Sequence, residues 1–239
     1  HKIDVFLCAV SVKIKLEAGV RQLRGGATEV DYQRILCFRL GCAYLDTGSM
    51  YRALAVWCAD HRIAADDTDA VVAAARDLPL EITPSPAGFT VALDGRDVTA
   101  RLHRPEVSGM VSGYAAVRDA RRSLNARMRA IIAASGRIVV EGRDITTVVA
   151  PDADLRVLLQ ADPARRIARR EAELNGAADR KTVTEQVVGR DAADSASSKF
   201  ETPAAGVVLI DSTELTLEQV VDKVIGLVPA ELREPARAH

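Results

Sequence analysis

The chain has 239 residues, 48% of them hydrophobic, with 32 basic and 33 acidic side chains and a net charge of −1. That is enough apolar material for a domain-sized core plus an insertion, and so balanced a charge exerts no bulk pull toward nucleic acid. No apolar run reaches the roughly 18 residues of a membrane span and no signal-peptide pattern is present, so the expectation is a soluble, cytoplasmic protein with no nucleic-acid and no membrane partner. Cys8, Cys37, Cys42 and Cys58 lack the paired spacing of zinc ligands and read as reduced thiols.

The segment Tyr44-Leu45-Asp46-Thr47-Gly48-Ser49-Met50-Tyr51-Arg52 combines an apolar strand end, a polar turn and a helix entry. It gathers Asp46, Thr47 and Arg52 at the carboxyl edge of a strand, where open α/β sheets hold ligands. A helix over residues 49–61 follows, with Tyr51, Leu54, Ala55 and Cys58 at helical spacing, and a second over 66–76 opens on Asp66 and Asp67. Residues 80–83 and 89–93 alternate as strands around a Pro-Ser-Pro-Ala-Gly connector. They mark residues 62–104 as a small β-rich insertion.

Residues 105–135 read as helical, with Leu124, Met128, Ile131 and Ile132 on one face. Short apolar runs at 138–140 and 155–159 suit buried parallel strands. The first runs into Glu141-Gly142-Arg143-Asp144, a second polar cluster at a strand end. Helices are expected at 163–174, 181–191 and 215–227, a last strand at 206–211, and fraying after Pro229. The fold class is therefore α/β: residues 1–61 and 105–228 form the core, with a helical lid at about 165–190 and a flexible tail over 229–239.

Arg165, Arg166, Arg169 and Arg170 put guanidinium groups on two adjacent helix faces. They form either a solvated face partnered by Glu171 and Glu173 or a polyphosphate clamp that closes as a lid. Arg190-Asp191-Ala192-Ala193-Asp194-Ser195 is either an ordinary helix end or a site where Arg190 meets a phosphate and Asp194 a base or sugar. Ser112 and Arg121 form a comparable pair.

Taken in order, residues 44–52, Leu-Asp-Gly-Arg-Asp-Val-Thr at 93–99, Pro-Glu-Val-Ser at 105–108, the Val-Val-Glu-Gly-Arg-Asp-Ile-Thr-Thr-Val-Val run at 139–149 and Arg-Asp-x-x-Asp-Ser at 190–195 resemble bacterial cytidylate kinase. The resemblance runs from about Leu40 to Val228. It implies a P-loop kinase fold with a central parallel sheet, a nucleotide-monophosphate-binding insertion and a lid. It also implies a monomer that moves the γ-phosphoryl of ATP to CMP or dCMP with Mg²⁺. Under it, Thr47 and Asp194 lie by the cytosine, Ser112 reads the base and Arg121 serves the pyrimidine region. Arg52, Arg143 and Arg190 bind the acceptor phosphate or ribose, and Asp144 orients the acceptor or holds sugar hydroxyls. Arg166, Arg169 and Arg170 fall at the lid arginines.

One stretch departs from the pattern. The family opens with a strand and Gly-x-x-Gly-x-Gly-Lys-Ser, whose backbone N–H groups cradle phosphates. Here the corresponding stretch is Leu23-Arg24-Gly25-Gly26-Ala27-Thr28-Glu29-Val30, with Glu29 at the lysine position. Gly25 and Gly26 are the only candidates for ATP contact, and Phe6–Val10 could supply the strand. Either residues 1–40 are misassigned, or the chain is a CMP-binding homologue that has lost ATP binding, or the loop is rebuilt around Gly25-Gly26 with a lysine from elsewhere. Position 197 is serine where the family commonly has arginine, with Lys199 the nearest basic residue.

Overall fold

The computed structural model describes residues 9–14, 32–84, 89–162 and 203–233. Gly25, Gly26, Arg166, Arg169, Arg170, Arg190, Asp194, Lys199 and the whole 165–190 lid lie outside these residues, as do the helices expected at 163–174 and 181–191.

The described elements are strand β1 (Ala9–Ile14), helix α1 (Tyr32–Leu40), β2 (Ala43–Asp46), α2 (Thr47–Asp60), α3 (Thr68–Asp77), β3 (Leu80–Thr83), β4 (Thr90–Leu93), β5 (Arg96–Asp97), α4 (Thr99–Leu102), α5 (Pro105–Ala115), α6 (Arg118–Ala134), β6 (Arg137–Glu141), a π-helical segment (Ile145–Val149), β7 (Leu155–Gln160), β8 (Val208–Asp211), α7 (Leu217–Leu227) and α8 (Ala230–Arg233). The larger sheet has the order β2-β6-β1-β7-β8 and the smaller is β3-β4-β5.

The fold is mixed α/β, with parallel pairs flanked by helices. β2 runs parallel to β6, with Asp46 opposite Glu141, and β7 runs parallel to β8. Of the strand expected at Phe6–Val10, residues 6–8 lie outside the described residues; β1 as described, Ala9–Ile14, pairs antiparallel with both β6 and β7. The slot between those strands demands backbone hydrogen bonds on both sides, and an antiparallel strand satisfies them as fully as a parallel one. The parallel pairs of the expected sheet, β2 with β6 and β7 with β8, thus flank one antiparallel strand.

Alternation along the strands builds a layer on each side of the sheet. Leu45, Ile138 and Val140 join an apolar cluster with α2, α3 and α6 residues such as Leu54, Ala75, Leu124 and Met128. Tyr44 and Val139 join a second cluster with Leu36 and Leu40 of α1 and with Val220, Val221 and Val224 of α7. A strand buried on both faces has no polar alternation to show, which is why Ile138-Val139-Val140 reads as a continuous apolar run. α6 reaches the first cluster through Ala120, Leu124, Met128 and Ile132, a strict four-residue step.

Val91 and Leu93 of the small sheet belong to the same first cluster, with Leu80, Ile82 and Phe89 packed against it. At the edge of the large sheet, Tyr44 N–H donates to Pro84 O and the Tyr44 ring meets Phe89 edge-on at 5.5 Å. The chain beside the small sheet thereby covers part of an edge strand that would otherwise present unpaired backbone groups.

Beyond shifts of one or two residues at element ends, the structure departs from the sequence reading in the following places. The helix expected over 105–135 is two helices, because Ala116 and Val117 turn their N–H groups back onto Ser112 O and Tyr114 O. The second helix starts at Thr68, with Asp67 as the capping residue through Asp67 Oδ1 to Ala70 N–H. After Pro229 the chain forms α8, held where Arg137 donates to Leu232 O. None of the helices of the described residues is long and apolar enough to cross a membrane.

Candidate functional site

The carboxyl ends of β2 and β6 are neighbours in a parallel pair, so the two polar clusters of the sequence meet there. Thr47, only 2% exposed, donates its hydroxyl to Glu141 O at 2.7 Å, joining the start of α2 to the end of β6. Tyr44, one strand position before Leu45, donates its phenol to Glu141 Oε2 at 2.7 Å. Glu141 is therefore held through both its carbonyl and its carboxylate.

Gly142 follows because nothing larger fits. A Cβ there would overlap the Thr47 hydroxyl and stand 2.8 Å from Ile145 Cδ1. The glycine lets the strand end close on the helix start.

Asp144, 5% exposed, precedes the π-helical segment and accepts from Arg121 Nη2 at 2.7 Å. Arg121 also donates to Ala115 O, at the end of the helix that carries Ser112. Its guanidinium stands 5.5 Å from the centre of the Tyr51 ring, a cation–π geometry. Tyr51 in turn donates its hydroxyl to Asn125 Oδ1, one helical turn beyond Arg121. Burial raises the Tyr51 phenol's pKa, with the nearby Asp144 charge adding to it and Arg121 opposing.

Arg52 and Asp46 form a third pair, Nη1 to Oδ2 at 3.5 Å, and Ser49 donates to the same oxygen at 2.5 Å. The described part of the site thus brings Thr47, Arg52, Arg121, Arg143 and Asp144 onto two adjacent strand ends and the helix beside them. Ser112 is exposed on α5, and its carbonyl accepts from Ala116 N–H. Sequence reasoning missed Tyr44, Glu141, Ser49, Tyr51 and Asn125. Tyr51 shows in the sequence only as a position at helical spacing, and its partners Asn125 and Arg121 reveal a polar task.

Among the described residues no group of three or more histidine, cysteine, aspartate or glutamate side chains converges to hold a metal ion. Away from the site, α1 ends in a Schellman motif: Gly41 has φ 60°, Cys42 N–H donates to Cys37 O and Gly41 N–H to Phe38 O. It buries Cys37 and Cys42 in the second cluster, where desolvation raises both thiol pKa values.

A layered α/β sheet with arginines and carboxylates at parallel strand ends defines a class, the nucleotide-type anion binders of open α/β architecture. Comparison with known proteins narrows it. A family model described as Cytidylate kinase matches residues 26–230. The chain is 49% identical over 212 residues to the cytidylate kinase of Cutibacterium acnes, covering 87% of this chain and 94% of the relative. It is 41% identical over 205 residues to that of Streptomyces coelicolor and 38% identical over 205 residues to that of Streptomyces griseus, in each case covering 85% of this chain and 88% of the relative. The chain belongs to the cytidylate kinase family, and so to the nucleoside-monophosphate kinases.

Proposed function

We propose that this protein transfers the γ-phosphoryl group of ATP to CMP or dCMP, giving CDP or dCDP, as a cytoplasmic monomer. The observation that carries the reading is the joined end of β2 and β6, where Thr47, Glu141, Arg121 and Asp144 are fixed by hydrogen bonds of 2.7 Å. Family membership supplies the substrate class. Thr47, Ser112, Arg121 and Asp194 surround the cytosine, and a carboxylate or hydroxyl that accepts from its exocyclic amine discriminates it from uracil. Arg52, Arg143 and Arg190 neutralise the acceptor phosphate or hold the ribose, and Asp144 orients the acceptor.

An acceptor phosphate oxygen attacks the γ-phosphorus as the bond to the β–γ bridging oxygen breaks, and ADP leaves. Such a step is governed by alignment and charge neutralisation, so the work falls to arginines. Arg166, Arg169 and Arg170 close over the phosphates from the lid. Mg²⁺ takes oxygen ligands and is commonly carried on nucleotide phosphates with one or two carboxylates. The bound ion would supply charge neutralisation on ATP.

In this reading residues 1–61 and 105–228 are the core, 62–104 the monophosphate-binding insertion, 165–190 the lid and 229–239 a tail. ATP-dependent formation of CDP by this polypeptide, followed by coupled assay, tests the proposal. CMP binding without turnover supports the second reading, a CMP-binding homologue without a working donor loop. Glu29 at the phosphate-lysine position favours that alternative, since a carboxylate there repels the donor.

A further inference from the structure

Asp46 occupies the N-cap of α2, and aspartate is among the best capping residues because its oxygen accepts from the free N–H groups of the first turn. Here it makes no capping bond. Its Oδ2 accepts instead from Ser49 Oγ at 2.5 Å and stands 3.5 Å from Arg52 Nη1. Both partners of the ion pair are largely withdrawn from water, with side chains 13% exposed for Arg52 and 17% for Asp46. Ser49 is fully buried, so the carboxylate is fixed from the protein side as well.

Gly48 carries the same message independently. A Cβ at Gly48 would lie 3.0 Å from Asp46 Oδ1 and 3.1 Å from Arg52 Nη1. The pair is thus drawn across the helix start into the space that a side chain at 48 would claim. Asp144 at the neighbouring strand end does likewise: it is the N-cap of the π-helical segment, makes no side-chain capping bond, and gives its carboxylate to Arg121.

We propose that Asp46 is a positioning residue for Arg52, steered by Ser49 and given room by Gly48, and that through Arg52 it sets the affinity for the acceptor's phosphate. The inference rests on the reading that Arg52 meets that phosphate. Its content lies in a sign. A carboxylate near an anion site repels the anion, so charge alone makes Asp46→Asn bind CMP more tightly. Loss of positioning makes it bind more weakly.

The test is calorimetric titration of CMP into wild type, Asp46→Asn, Ser49→Ala, Arg52→Met and the Asp46→Asn/Arg52→Met double variant, with cytidine binding followed by ligand-observed NMR. Asp46→Asn is expected to weaken CMP about tenfold, the scale of one charge-assisted hydrogen bond, and to leave cytidine within about twofold. Ser49→Ala, which keeps the charge but frees the carboxylate, is expected to lose less in the same direction. In the Arg52→Met background the Asp46 change is expected to add nothing, the mark of residues that act as one unit. Unchanged or tighter CMP binding by Asp46→Asn overturns the proposal, and so does an equal loss of cytidine, which reports general damage. Wild-type protein that takes up no CMP fails the acceptor reading itself and this inference with it, a result visible in the first titration.

Discussion

Arg121 and Asp144 are joined by a 2.7 Å hydrogen bond across 23 residues of chain, with the Tyr51 ring beneath the guanidinium. The carboxylate is almost wholly buried, so its charge leans on the Arg121 guanidinium for compensation. Removing one partner of such a pair costs more than the pair itself contributes, because the other charge is stranded away from water. Arg121→Met is expected to lower stability by about 3 kcal/mol, and Asp144→Asn by about 1–2 kcal/mol, since the amide keeps the shape and one acceptor. Urea denaturation of the two single variants and the double variant checks this. The double variant should cost less than the sum of the singles.

Gly142 and Gly109 make opposite forecasts. Alanine at 142 drives a methyl group into the Thr47 hydroxyl and Ile145, so the strand end and helix start must separate. A loss of about 2 kcal/mol is expected, together with weakened CMP binding. Gly109 lies inside α5 with nothing within 4 Å of an added Cβ. Alanine there should raise stability by up to about 1 kcal/mol through helix propensity alone. Paired thermal melts and CMP titrations distinguish the two.

The buried thiols make stability pH-dependent on the alkaline side. Burial lifts the Cys58 thiol to about 11, and Cys37 and Cys42 are raised as well, from a reference of 9.0. The unfolded chain releases these protons first, so folded stability is fully present below about pH 9 and falls as pH rises through the folded values. Each thiol contributes a slope of about 1.4 kcal/mol per pH unit in that window. Denaturation midpoints at pH 8 and pH 10 measure it, and a Cys37→Ala/Cys42→Ala variant should show a shallower fall.

Arg127 on α6 reaches the end of α3, donating to Leu78 O at 2.6 Å and Arg76 O at 3.0 Å. These are carbonyls that a helix end leaves without internal partners. Arg127→Ala is expected to cost about 1–2 kcal/mol and to speed amide exchange in the last turn of α3 more than in α2. Hydrogen-exchange mass spectrometry of the two helices provides the comparison.

Much of the architecture was legible because burial imposes patterns. Ile138-Val139-Val140 announced a strand covered on both faces, and Leu124, Met128 and Ile132 marked the inner side of α6. The break between α5 and α6 was not legible, since neither glycine nor proline stands at Ala116-Val117 and a carbonyl geometry alone ends the helix. Nor could residues 9–14 disclose their direction in the sheet, because hydrogen-bonding demand is met either way. At the site, the sequence offered Thr47, Arg52, Arg143 and Asp144 as separate polar side chains. Aspartates preceding helical segments read as caps, and only tertiary neighbours reveal that Asp46 and Asp144 hold arginines.

The insertion's Val91 and Leu93 share an apolar cluster with Leu54, Leu124 and Val140 rather than owning one. Heat or denaturant is therefore expected to melt this small sheet together with that cluster rather than ahead of it. Lifting this hairpin off the large sheet would bare the apolar side chains it shares with it, a cost in water that holds the two faces together.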